Sequence, residues 1–272
     1  MGRVICVANQ KGGVGKTTTS VNLATSLALL KQRILLVDLD PQGSASSGLG
    51  LRDLGDRPTT YDVVIGQRSI AEATLPTQVA GLDAVPAHRD LVGAEVELVS
   101  ALAREFRLAE ALRSVRDSYD LIIIDCPPSL GLLTVNGLTA ADAVLIPLQC
   151  EYYALEGLSA LLETIELIRE RLNQPLVVDG ILLTMFDTRN SLSHQVADEV
   201  RRHFPERVYT TVIPRNVRLS ESPSHGVPVA LYDPASKGAQ AYMDLGRELI
   251  TRSGQTAPVP ASTDAMSGEI ND

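Results

Sequence analysis

Short, nearly unbroken apolar runs recur along the chain, and the stretches between them carry apolar residues at every third or fourth position. The runs lie at 4–7, 33–38, 82–86, 121–124, 142–147 and 177–186. A run without polar alternation reads as a strand covered on both sides, the condition of a central strand in a parallel sheet. Within residues 17–30, Val21, Ala24, Leu27 and Ala28 repeat at helical spacing, and Leu23 and Leu30 widen that face. Further helices are expected at 92–99, 108–115, 156–172, 191–203 and 235–250, the last with Ala241, Tyr242, Leu245 and Leu249 inward. Residues 44–80 are rich in Gly, Ser and Thr, with weak helical patterns only at 61–65 and 70–75. Strands alternating with helices predict an α/β fold: a single doubly wound, mostly parallel sheet with helices on both faces. The chain reads as one domain over residues 1–252, followed by a disordered polar tail at 253–272.

The first run opens directly into the most informative stretch, Gln10-Lys11-Gly12-Gly13-Val14-Gly15-Lys16-Thr17-Thr18. Strand, glycine-rich loop, Lys-Thr and helix follow in the order that a phosphate-binding loop requires. Glycines let the backbone curl so that successive N–H groups face phosphate oxygens, and the helix start adds its positive end. Lys16 is placed for the β- and γ-phosphates and the Thr17 hydroxyl for Mg²⁺, which makes the fold that of a P-loop NTPase. The loop departs from the strict pattern. Gln10 stands where a glycine is usual, and Lys11 adds a second lysine at the loop's mouth.

Two more strand ends carry acids. The run at 33–38 ends in Asp38-Leu39-Asp40-Pro41-Gln42-Gly43, and the run at 121–124 ends in Asp125-Cys126-Pro127-Pro128. The carboxyl ends of parallel strands are where such folds hold ligands. Asp125 suits the acid that holds Mg²⁺, directly or through water, and the Pro-Pro turn suits a segment that senses the γ-phosphate. Ile213-Pro214-Arg215-Asn216 is read as following another strand end, where the backbone or the Asn216 amide can read a base edge.

Composition narrows the picture. With 272 residues and 44% hydrophobic residues the chain can bury a substantial core. Cys6, Cys126 and Cys150 are scattered, without metal-binding spacing, and are expected to be buried apolar side chains in a reducing cytoplasm. No run approaches the roughly 18 apolar residues that span a bilayer, and no signal peptide precedes the loop. The net charge of −9 argues against general nucleic-acid affinity. Its distribution qualifies that: residues 187–248 hold 8 Lys/Arg and 8 Asp/Glu, whereas residues 1–186 hold 15 and 22.

The motifs QKGGVGKTTTSVNLA, LLVDLDPQGSASSGLG, LIIIDCPPSLGLLT, CEYYALEGLSALL, LLTMFDTR, IPRNVRLSESPSHG and LYDPASKGAQAY occur in this order over residues 2–250. In that order they resemble the ParA/Soj-type chromosome-partitioning ATPases, within the ParA/MinD group of deviant Walker A P-loop ATPases. The resemblance implies Mg²⁺-dependent ATP hydrolysis. Nucleotide contacts fall on Lys11, Gly12, Gly13, Gly15, Lys16, Thr17 and Thr18, and the adenine segment on Pro214 and Asn216. Catalytic parts fall on Lys11, Lys16, Asp40 and Asp125. Asp40 matches the carboxylate that positions the attacking water, and Thr17, Asp125 and Asp40 surround the metal, the acids directly or through water.

The resemblance further implies an ATP-dependent sandwich homodimer in which Lys11 reaches across. That dimer binds double-stranded DNA without sequence preference, through Arg189 and Arg218, until a ParB-type centromere-binding partner stimulates hydrolysis. Such a protein works in the cytoplasm on the nucleoid and binds no membrane. A MinD-like membrane switch would need a basic amphipathic C-terminal helix, which residues 255–261 do not supply. An iron-protein reductase would need paired cluster cysteines, and a carboxylate-activating synthetase a substrate motif that is not evident. A DNA-coating filament would use the same residues and stays open. The phosphate loop begins almost at once, which speaks against an operator-binding repressor.

Overall fold

The computed structural model describes residues 2–151 and 154–254, so the expected tail lies outside the described residues except for Ser253 and Gly254. Seven strands, β1 (Arg3–Val7), β2 (Ile34–Asp38), β3 (Leu75–Pro76), β4 (Leu82–Val85), β5 (Leu121–Asp125), β6 (Ala143–Gln149) and β7 (Val177–Thr184), form one sheet. Their order is β3-β4-β2-β5-β1-β6-β7. Every pairing is parallel except β3 with β4. The chain winds outward from β1 through β2 and β4, returns to β5, and crosses to β6 on the other side of β1. That reversal opens the crevice at the carboxyl ends of the strands where ligands of such sheets bind.

Alternate residues of the central strands feed two separate cores. Val4, Cys6, Val37, Ile122 and Ile124 face one cluster, while Ile5, Val7, Leu36, Leu121 and Ile123 face the other. This double burial is why these strands carry apolar residues at successive positions. The helices Lys16–Leu29 and Lys237–Arg252 cover the second face with Leu23, Leu27, Leu245 and Leu249. Ala154–Arg171 and Leu132–Ala140 cover the first with Leu158, Leu161, Leu133 and Leu138. All three cysteines are free and buried. Among the described residues no helix is long and apolar enough to cross a membrane.

Expected and observed elements agree closely in two helices, one with a clear polar face and one opened by the glycine-rich loop. The helix expected at 191–203 is Ser191–His203, and that expected at 17–30 is Lys16–Leu29. Other places differ, among them the short helices Val217–Glu221 and Val229–Tyr232, which no pattern predicts. Leu75, expected at the end of a helix, lies in the edge strand β3, because the preceding helix stops at Ala73 and Pro76 is tolerated only at an edge. The helix Leu132–Ala140 has no counterpart in the sequence pattern, because it is buried on nearly every side and lacks a polar stripe. Ile213 does not follow a strand: its segment pairs alongside β7 through isolated bridges, Val208 with Ile181 and Pro214 with Phe186, rather than as a strand of the sheet.

Candidate nucleotide site

Four strand ends assemble the site. After β1 the loop turns through Gly13 at φ 76° and Gly15 at φ 88°, left-handed values that favour glycine. A Cβ on Gly12 or Gly13 would meet nothing within 4 Å, so the loop's inner surface is open backbone. Gly15 caps the helix Lys16–Leu29 with no side chain over its N–H groups. These amides, at the positive end of a helix, form an anion cradle. Val14, buried under the loop, gives its carbonyl to the Thr184 hydroxyl at 2.8 Å and so ties the loop to β7.

Lys16 is buried, and its ammonium donates to the Lys11 carbonyl at 3.0 Å. Burial lowers its pKa, while Asp125 and Asp40 pull the other way. Asp125 ends β5 beside Asp38 of β2, its register partner. One Asp125 oxygen accepts from the Ser20 hydroxyl at 2.8 Å. The other is buried without a hydrogen-bond partner. Burial first, and then the neighbouring Asp38, push this carboxyl up to about 8.

An orphaned buried carboxylate oxygen is costly unless something positive comes to it. The Thr17 hydroxyl also faces this carboxyl. One acid plus one hydroxyl is a fitting set for Mg²⁺, which keeps much of its water and binds the phosphates of its substrate. No three His, Cys, Asp or Glu side chains gather as a metal-holding group among the described residues.

Asp40 is nearly buried, and its carboxylate accepts from the Gln42 N–H at 2.9 Å. Its own N–H donates to Asp38 at 3.2 Å. Asp38 in turn takes the Ser46 N–H at 2.8 Å and the Ser46 hydroxyl at 2.6 Å, and that hydroxyl accepts from the Ala87 N–H. The turn carrying Asp40 is thus pinned to the segment after β4. Burial raises Asp38 to about 6 despite these donors.

Beside the loop opens a cavity of about 260 Å³ bordered by Gly15, Thr18, Pro214, Asn216, Leu219 and Tyr242, room for a flat base. Tyr242 is held under it by a 3.1 Å hydrogen bond with Thr19.

A family model described as an AAA domain matches residues 2–178. Chromosome partitioning protein ParA of Myxococcus xanthus is 58% identical over 258 residues, spanning 95% of this chain and 91% of its own. The chain belongs to the ParA/Soj family of chromosome-partitioning ATPases. Sporulation initiation inhibitor protein Soj of Bacillus subtilis is 56% identical and spans 92% of this chain and 98% of its own. Among solved structures, a plasmid partition protein of Borrelia burgdorferi bound to AMPPNP superposes with TM-score 0.79 at 25% identity, covering 93% of this chain and 100% of that one. Cobyrinic acid a,c-diamide synthase from Mycobacterium smegmatis, with bound ADP and magnesium, gives 0.81 at 38%, covering 96% and 100%.

For this ParA/Soj chain the structure gathers Lys16, Thr17, Asp40 and Asp125 at the strand ends, and Thr18, Pro214 and Asn216 around the adjoining cavity. Asn216 differs from the sequence reading in one respect. Its side-chain oxygen already caps the helix Val217–Glu221 by accepting from the Arg218 N–H at 2.8 Å, which leaves its amide N–H groups for a base.

Arg189 and Arg218 lie outside this cluster, and both are ion-paired. Arg189 makes a fork with Asp187 at 3.0 and 2.9 Å, and Arg218 lies 2.8 Å from Glu221 and 3.1 Å from Asp233. Lys11 points away from the loop's interior to Glu151. Ser20, Ser46 and Glu151 were not anticipated as parts of the site. They lie within the quoted motifs, but polar side chains on a helix or loop carry no local signal of what they will meet.

Proposed function

We propose that the chain is an ATP-hydrolysing switch for partitioning a chromosome or plasmid. ATP is the substrate. Gly12, Gly13, Gly15, Lys16, Thr17 and Thr18 bind its phosphates, and Pro214 and Asn216 line the place of its adenine. Thr17 and Asp125 would hold Mg²⁺, with Asp40 close by, and the ion would neutralise charge on the transferred phosphoryl group. Asp40, fixed by Asp38 and Gln42, orients the attacking water. Two ATP-bound subunits pair face to face, and Lys11 of each reaches the other's phosphates, as an arginine finger supplied in trans does.

The dimer binds duplex DNA without regard to sequence, through Arg189 and Arg218 of both subunits, and a ParB-type partner triggers hydrolysis and release. The protein acts in the cytoplasm, on the nucleoid. The observation that carries this reading is the second lysine at the mouth of the phosphate loop, in a chain whose relatives at 58% and 54% identity are named chromosome partitioning proteins and match along 91% and 94% of their length.

The test is binding to random-sequence duplex DNA with ATP, ADP or no nucleotide across a salt series. Binding that needs ATP, ignores sequence and weakens steeply with salt is expected. Absence of DNA binding in every nucleotide state would leave an ATPase with another output.

A further inference from the structure

Lys11 is tied down from three directions. Its ammonium lies 2.5 Å from one oxygen of Glu151, and the other oxygen accepts from the Gln149 side-chain amide. Its N–H donates to the Asn9 side chain at 3.0 Å, and the Asn9 amide donates to the Pro147 carbonyl of β6 at 2.7 Å. Its carbonyl holds the Lys16 ammonium at 3.0 Å. Glu151 lies just past the end of β6, the neighbour of β1, so its carboxylate stands beside the mouth of the loop. Within one subunit the extra lysine is therefore engaged by its own chain. Both partners are about half exposed, at 43% and 47%.

We propose that Glu151 is a positioning residue that parks Lys11 within its own subunit, so that assembling the ATP dimer must break two Lys11–Glu151 pairs. This rests on the reading that Lys11 acts across a dimer. A pair this exposed is weak enough to be displaced by a triphosphate, which presents more negative charge than one carboxylate. It is still strong enough to bias a monomer–dimer equilibrium, because a two-fold dimer counts the contact twice. Exposed pairs shift an equilibrium by about 1.4- to 5-fold each, so two together shift it by about 2- to 30-fold.

Two measurements on the full chain test this. In the absence of nucleotide, the rate at which an amine-acylating reagent labels Lys11 is read by peptide mass spectrometry. Glu151→Gln should label about 2- to 5-fold faster at Lys11, with Lys31 and Lys237 unchanged as controls for folding. With Mg²⁺ and a non-hydrolysable ATP analogue, sedimentation should show the dimer dissociation constant of Glu151→Gln lowered by about 2- to 30-fold. Unchanged labelling of Lys11 would overturn the proposal. So would faster labelling with an unchanged or higher dissociation constant, since the pair would then not restrain assembly. A natural chain that stays monomeric with the analogue would sink the dimer reading and this proposal together, whereas the other two results sink this proposal alone.

Discussion

Asp125 and Asp38 are acids buried side by side, and burial favours their protonated forms. Their carboxyls are raised from an ordinary 3.8 to about 8 and about 6. The folded state therefore binds protons that the unfolded state has already released. The stability linked to these groups is complete below about pH 4 and is lost as pH rises to about 8. Asp125→Asn removes the larger share of that loss. Without nucleotide, the variant should melt higher than the natural chain at pH 8, by roughly 5 °C or more, with the gap narrowing at pH 5. Thermal unfolding at the two pH values checks this, and equal gaps would show that Asp125 is not held protonated. Two further substitutions separate binding from turnover. Lys16→Ala should abolish ATP binding in an equilibrium titration, and Asp40→Ala should still bind ATP yet accumulate as a DNA-bound dimer. Normal ATP turnover by Asp40→Ala would remove Asp40 from its assigned role.

Between elements, packing is tight against the strand end at Gly137. It lies in the helix Leu132–Ala140, where an added Cβ would stand 2.7 Å from the Cys126 sulfur and 3.4 Å from both the Cys6 sulfur and a Leu39 methyl. Cys126 follows Asp125 directly, so this helix braces the strand end that carries the acid. Gly137→Ala should destabilise the fold by about 1–3 kcal/mol and weaken nucleotide binding with it, readable by urea unfolding and an ATP titration. An unchanged unfolding midpoint would mean the contact relaxes freely.

That helix also marks a limit of sequence reading. Residues 156–172 and 191–203 were legible because each has one wet face, and β1, β2 and β5 because they have none, whereas the helix Lys16–Leu29, buried from Thr19 to Ala28, was legible from the phosphate loop that opens it. A short helix wet on almost no side shows neither pattern. The phosphate loop, Asp40 and Asp125 were legible because glycine spacing and acids at strand ends are local. The clasp of Asp38 by Ser46 and Ala87, and the pairing of Lys11 with Glu151, join residues up to 140 apart in sequence, and no local pattern records them.

For the whole molecule the difficulty is charge, because a chain of net −9 is repelled by a polyanion. The proposed DNA binding would then have to come from a local surface that the proposed dimer doubles, and the two arginines assigned to it are occupied. Arg189 is held by Asp187, and Arg218 by Glu221 and Asp233. On the proposed reading each phosphate would have to compete with a carboxylate for its arginine, which would keep a single subunit weak and make pairing decisive. With two arginines per subunit, four phosphate contacts give a salt slope of about −3.6, and Arg189→Ala with Arg218→Ala should flatten it by about that amount. The competing acids supply the sharper test. If Glu221 masks Arg218, then Glu221→Gln should tighten DNA binding by about 2- to 5-fold per contact at fixed salt, while Arg218→Ala loosens it. Both are measured by fluorescence anisotropy on random duplex with ATP. Opposite shifts from removing the acid and removing the arginine would place a phosphate at Arg218. No shift in either would move the DNA-binding face elsewhere on the dimer.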